Sequence, residues 1–89
     1  MKEAYLEVTY RKGRLLAAYL YLPRNKRRKS VRTRRVEPGL IIDLASNGDA
    51  LGIEITAPSQ VSASKLNRVL RDLGVPPLSP SELSPLRAA

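Results

Sequence analysis

The chain has 89 residues and a mass of 9.9 kDa, room for one small domain. It contains no Cys, His, Trp or Phe, and 16 Lys or Arg against 8 Asp or Glu give a formal charge of +8. Those absences exclude a disulfide framework, a thiol nucleophile, a zinc–thiolate site and any imidazole-based catalysis, while an apolar share of 43% is too high for a disordered chain of this charge.

Residues 4–10 alternate Leu6, Val8 and Tyr10 against Tyr5, Glu7 and Thr9, the period of two that marks a strand. Arg11-Lys12-Gly13-Arg14 is a hairpin loop, with Gly13 supplying positive φ. Residues 15–22 read as a second, more apolar strand. In that register Tyr10 and Tyr19 share a face, and Tyr5 lies opposite Leu20 on the other. Residues 31–36 read as a strand so charged that it belongs at an edge or in a protruding ribbon. Residues 40–44 and 50–55 are two further strands, joined across Asn47-Gly48, the preferred type I′ dipeptide. With Ser46 opposite Asp49, Leu44 faces Leu51, Ile42 faces Ile53 and Leu40 faces Ile55, all on one side. The other side pairs Ala45 with Ala50, Asp43 with Gly52 and Ile41 with Glu54.

Ala57-Pro58-Ser59 ends the last strand. Residues 61–73 place Leu66, Val69, Leu70 and Leu73 on one helical stripe, with Ser59 or Ser62 as cap and Gly74 as the C′ residue. Ser79-Pro80-Ser81-Glu82 has the capping-box pattern, Pro85 limits the helix it opens, and residues 86–89 are expected to fray. The fold class is α+β: an antiparallel β-meander of four or five strands with one C-terminal amphipathic helix packed on one face. Residues 1–75 make the domain, and 76–89 a Pro-rich tail with a short helix. The uncovered face, given Tyr5, Leu16, Leu20 and Ile41, is apolar enough to predict a homodimer. No stretch reaches the ~18 apolar residues of a membrane span, and Glu3 and Glu7 interrupt the early apolar stretch that a signal peptide would need, so a cytoplasmic location is expected.

The charge is local. Arg24, Lys26, Arg27, Arg28, Lys29, Arg32, Arg34 and Arg35 fall within twelve residues, and the rest of the chain is neutral. Such density points to nucleic-acid backbone, because each Lys or Arg that neutralises a phosphate releases condensed counterions. Neither DNA nor RNA is preferred, and no base-reading signature is present. The alternatives are an acidic protein partner or a solvated loop.

Residues 36–55, VEPGLIIDLASNGDALGIEI, resemble the C-terminal half of the domain of unknown function 2283 family. The matching positions are Glu37, Gly39, Ile41, Ile42, Asp43, Gly48, Gly52, Ile53, Glu54 and Ile55, ending in the family's Gly-Ile-Glu-Ile strand. The first half is looser: Arg11 follows Tyr10 where the family has Asp, and Ala17-Ala18-Tyr19-Leu20 occupies the second strand. The resemblance implies a small β-rich domain of unassigned activity, with an antitoxin-like role, covering a partner protein, as one expectation.

Other candidates have structural explanations beside functional ones. The four tyrosines fill a core that lacks Phe and Trp, or stack bases. Glu54, in an apolar strand and on the same face as Asp43, is a base or half of a metal pair, or it pairs with Arg or faces water. Asp49 bonds turn backbone. Gly39 and Gly52 are conformational, Gly52 opposite Asp43 marking a bulge or a close backbone approach. Residues 62–87 are not a helix-turn-helix, since Pro85 breaks the second helix. The expected protein is non-catalytic, with no cofactor, no metal and no membrane contact.

Overall fold

The computed structural model describes residues 3–23 and 29–87. It contains strands β1 (Tyr5–Arg11), β2 (Arg14–Tyr21), β3 (Arg32–Glu37), β4 (Leu40–Leu44) and β5 (Ala50–Ile55), then helices α1 (Ala63–Asp72) and α2 (Pro80–Leu83). Short 3-10 turns cover Pro58–Gln60 and Ser84–Arg87. All strand pairings are antiparallel, in the order β1-β2-β5-β4-β3. The hairpin β1–β2 and the meander β3–β4–β5 join where β2 pairs β5, so the most apolar strands are central.

The first loop is the predicted two-residue turn. Lys12 (φ 52°) and Gly13 (φ 77°) both take positive φ, as a type I′ turn requires. Arg11 pairs Arg14 and Tyr10 pairs Leu15, but Thr9 then pairs Ala17, leaving Leu16 as an extra residue. This bulge shifts the expected register by one, so Tyr5 pairs Tyr21 and Leu6 pairs Leu20. Two expectations fall with it. Tyr10 and Tyr19 lie on opposite faces, and Leu20 is wholly buried on the helix side instead of belonging to the open face. The shift puts Ala18 and Leu20 on the same face as Val8 and Leu6, which the unbulged pairing does not allow.

A second bulge revises the β4–β5 turn. The Gly48 N–H donates to the Ala45 carbonyl and the Ala45 N–H to Asp49, with positive φ at Gly48 alone. Ser46 and Asn47 are therefore the central turn residues, and Gly48 is the left-handed residue that follows them. Leu44 pairs Ala50 in place of Leu51, whereas Ile42–Ile53, Leu40–Ile55, Asp43–Gly52 and Ile41–Glu54 pair as the alternation predicts.

The covered face of the sheet is aliphatic. Leu20, Leu22, Leu40, Ile42, Ile53 and Ile55 pack against Leu66 and Leu70 of α1 and Leu83 of α2, all essentially free of solvent. Each such side chain contributes roughly 1.5–3 kcal/mol of transfer free energy. The Ser62 hydroxyl caps α1 by accepting from the Lys65 N–H (3.1 Å). Gly74 (φ 75°) closes it: its N–H meets the Arg71 carbonyl and the Val75 N–H the Leu70 carbonyl, a Schellman pair. Asn67 then grips the backbone of Leu78 from both sides, accepting at 2.9 Å and donating at 3.2 Å. The capping box at Ser79 and Glu82 forms as the sequence predicts. The chain end does not fray at residue 86. α2 does stop at Leu83, ahead of Pro85, but the 3-10 turn that follows carries Leu86 onto the core; residues 88 and 89 lie outside the described residues.

Candidate functional site

The described half of the basic run lies on an edge. β3 pairs only β4, and Lys29, Arg32, Arg34 and Arg35 are all exposed. Arg24, Lys26, Arg27 and Arg28 lie outside the described residues. The register separates the strand's cations. Arg32 and Arg34 stand opposite Leu44 and Ile42, so they leave on the helix side, while Arg35 stands opposite Ile41 and leaves on the open side. Val36 is the extra residue of a bulge here and tucks against the core. The guanidinium groups therefore straddle the strand and do not form a single row. Arg34 also borders a cleft of about 130 Å³ between β3 and α1, where Arg68 adds a cation and Glu37 and Asp72 add carboxylates. Sequence reasoning missed Arg68 as a neighbour of the basic strand, because the two are far apart in the chain and only the packing of α1 brings them together.

The open face carries a different chemistry. Two rows cross it. One runs Tyr5, Tyr21, Gly52, Asp43 and Thr33; the other runs Glu7, Tyr19, Glu54, Ile41 and Arg35. Ile41 is the one large aliphatic residue in these rows, so the apolar open face predicted from Leu16 and Leu20 is corrected to an aromatic and acidic one. Tyr5 stacks on Tyr21 (4.4 Å between centroids, 15° between planes), and Tyr19 tilts against Tyr21 at 4.7 Å. The Tyr21 hydroxyl donates to Glu7 Oε1 at 2.7 Å. The Tyr19 hydroxyl donates to Asp43 Oδ2 at 2.6 Å, a charge-assisted length. To reach it the ring lies flat over Gly52, where a Cβ would overlap it. Gly52 is thus the predicted close approach, and the approaching group is the Tyr19 ring.

Asp43 is 8% exposed although it sits on the uncovered side, because Tyr19 roofs it. Its other neighbour is Glu54. A hydrogen bond to Asp43, then burial, then the like charge of Asp43 hold the Glu54 carboxyl above its ordinary range. The pairing of these acids is legible in the sequence from the shared face; the tyrosine over them is not, because the Leu16 bulge moves Tyr19 into place. Among the described residues no three metal-ligating side chains gather. Asp49, expected to bond turn backbone, accepts from the Asn47 side-chain amide within the turn (3.0 Å). The Asn47 side chain in return bonds the backbone, accepting from the Asp49 N–H (3.1 Å).

Fold and surface define a small sheet-and-helix domain with one arginine-bearing edge and one aromatic, acidic face. No helix among the described residues is long and apolar enough to cross a membrane. The model of the family described as Protein of unknown function (DUF2283) matches residues 17–58, from β2 through β5, which supports the resemblance read from the sequence. No curated protein and no solved structure matches the chain.

Proposed function

We propose that this protein is a cytoplasmic, non-catalytic binding module that holds nucleic-acid backbone along β3, without reading sequence, and works as a homodimer. The observation that carries the reading is the exposure of Arg32, Arg34 and Arg35 on one terminal strand, and of Lys29 just ahead of it, in a chain with net charge +8. Arginines leaving both sides of an edge strand flank a backbone laid along it. Each guanidinium offers a planar fork that matches phosphate oxygens. The affinity of such an arrangement comes from counterion release, so it is steep in salt and indifferent to base sequence.

The test is the triple variant Arg32→Gln, Arg34→Gln, Arg35→Gln, titrated against a labelled duplex and a labelled single strand at about 50 mM and about 200 mM salt. The expected result is weaker affinity on both probes and a salt slope shallower by roughly two to three, near one for each phosphate that is no longer neutralised. Wild-type protein that retains neither probe, or a variant with unchanged affinity and slope, overturns the reading. Recovery of one stoichiometric acidic protein, with no nucleic acid retained, would assign the same strand to a protein partner.

A further inference from the structure

The two ends of the sheet are protected unequally. β3 carries three arginines and a bulge, devices that keep an edge from pairing with another chain. β1, at the opposite end, has no bulge and a single charged residue, Glu7, inside its span. Its sequence YLEVTYR contains no Pro and no Lys, and its charges are Glu7 and, at its last position, Arg11. The bulge of the β1–β2 hairpin belongs to β2, so β1 itself runs regularly for seven residues. Leu6 and Val8 reach the core only in part, and Tyr5 and Tyr10 remain 47% and 45% exposed. This is a long, regular, weakly charged edge at the margin of the core.

We propose that β1 pairs antiparallel with β1 of a second copy of this chain, joining two sheets into one across a two-fold axis at Val8. Two requirements select that register. Opposed residues must share a face, so the axis has to pass through a residue and not between two. Centring on Val8 then uses the whole strand, where Glu7 or Thr9 as centre leaves one end of it unpaired. The pairs it makes are self-complementary. Tyr5 meets the partner's Arg11, a cation against a ring face. Leu6 meets the partner's Tyr10 beneath, Val8 meets the partner's Val8, and Glu7 meets the partner's Thr9 with the partner's Arg11 on the diagonal. No two like charges stand opposite each other, whereas centring on Glu7 would oppose two carboxylates. The apolar margin formed by Leu6, Val8 and Tyr10 is covered by the same residues of the copy, as an isologous interface demands.

The inference does not depend on what β3 binds, and its test involves no nucleic acid. Sedimentation of the full chain is expected to give twice the 9.9 kDa monomer mass. The chain has no cysteine, so single cysteines report the register cleanly. Val8→Cys is expected to form a disulfide-linked dimer under mild oxidation, and Thr9→Cys and Thr33→Cys are not. Thr9→Glu, an exposed substitution that opposes the partner's Glu7, is expected to weaken association about tenfold with an unchanged circular dichroism spectrum. A monomer at every concentration overturns the proposal. So does a dimer that cross-links through Thr33→Cys on β3, or one that does not cross-link at Val8→Cys.

Discussion

The two faces of the sheet are built by alternate residues of the same strands, yet they are held by different physics. On the helix side, Leu20, Ile42, Ile53 and Ile55 are sealed from water against α1. On the open side, Tyr19, Glu54, Ile41 and Arg35 stand one residue away along the strands and stay partly wet. The first face is cohesive because area is removed from water, with no demand on geometry beyond volume. The second rests on directed bonds: Tyr19 to Asp43 and Tyr21 to Glu7. The contrast shows why a covered face tolerates a change of residue type poorly but of shape moderately, while the open face has the reverse sensitivity.

Two leucines on β2 make the largest test of that contrast. Leu20→Ala empties a site that is 0% exposed and is expected to cost about 2–5 kcal/mol in a urea titration. Leu16→Ala, at the bulge and 47% exposed, is expected to stay within about 0.5 kcal/mol. Near-equal destabilisation at the two positions would mean that Leu16 is covered in solution and the face assignment is wrong.

A smaller effect tests the open face. Gly52→Ala places a methyl where the Tyr19 ring lies, and is expected to cost about 1–3 kcal/mol by overpacking. In a Tyr19→Ala background the same methyl has no ring to displace, so most of that cost should vanish. The two substitutions are in contact, and their coupling is readable by a double-mutant cycle. Additive effects would show that the glycine is there for its backbone and not for the tyrosine.

The residues that make the covered face legible are those with strict alternation. Leu40, Ile42, Ile53 and Ile55 pair as the pattern predicts because no irregularity intervenes between them. α1 is legible from the spacing of Leu66, Val69 and Leu70, and its ends from Ser62 and Gly74. What the sequence hides is the bulge. Nothing in the run LLAAYLYL marks Leu16 as the extra residue, since the choice depends on burying Ala18 and Leu20 against a helix far along the chain. One such residue reverses the face of the β1 tyrosines relative to those of β2. The Asp43–Glu54 neighbourhood is unaffected because it belongs to β4 and β5, whose register on that side of the turn is regular. The arginines of β3 are visible as charge, but their division between the two sides follows from the register with β4, and the nearness of Arg68 follows from helix packing.

The smallest expected effect isolates the acidic pair. Glu54 lies diagonal to Asp43 of β4 on the same face, with Tyr19 of β2 above Asp43 and Arg35 of β3 and Glu7 of β1 in the same row as Glu54. Because the folded chain holds the Glu54 carboxyl above its ordinary range, the native state keeps a proton there that the unfolded chain has released. The native state therefore binds more protons, and the stability contributed by this group falls as pH rises from the ordinary carboxylate range through the raised one. Glu54→Gln removes the titration and keeps the shape. It is expected to match the wild type at acidic pH and to exceed it at neutral pH by up to about 1 kcal/mol, the upper end for like-charged neighbours across strands. Asp43→Asn should abolish the same pH dependence, but it weakens the acceptor of the Tyr19 hydroxyl, so its gain at neutral pH should be smaller. A Glu54→Gln chain whose stability follows the wild-type pH profile throughout would mean that the two carboxylates do not interact, and that the open face is organised by its tyrosines alone.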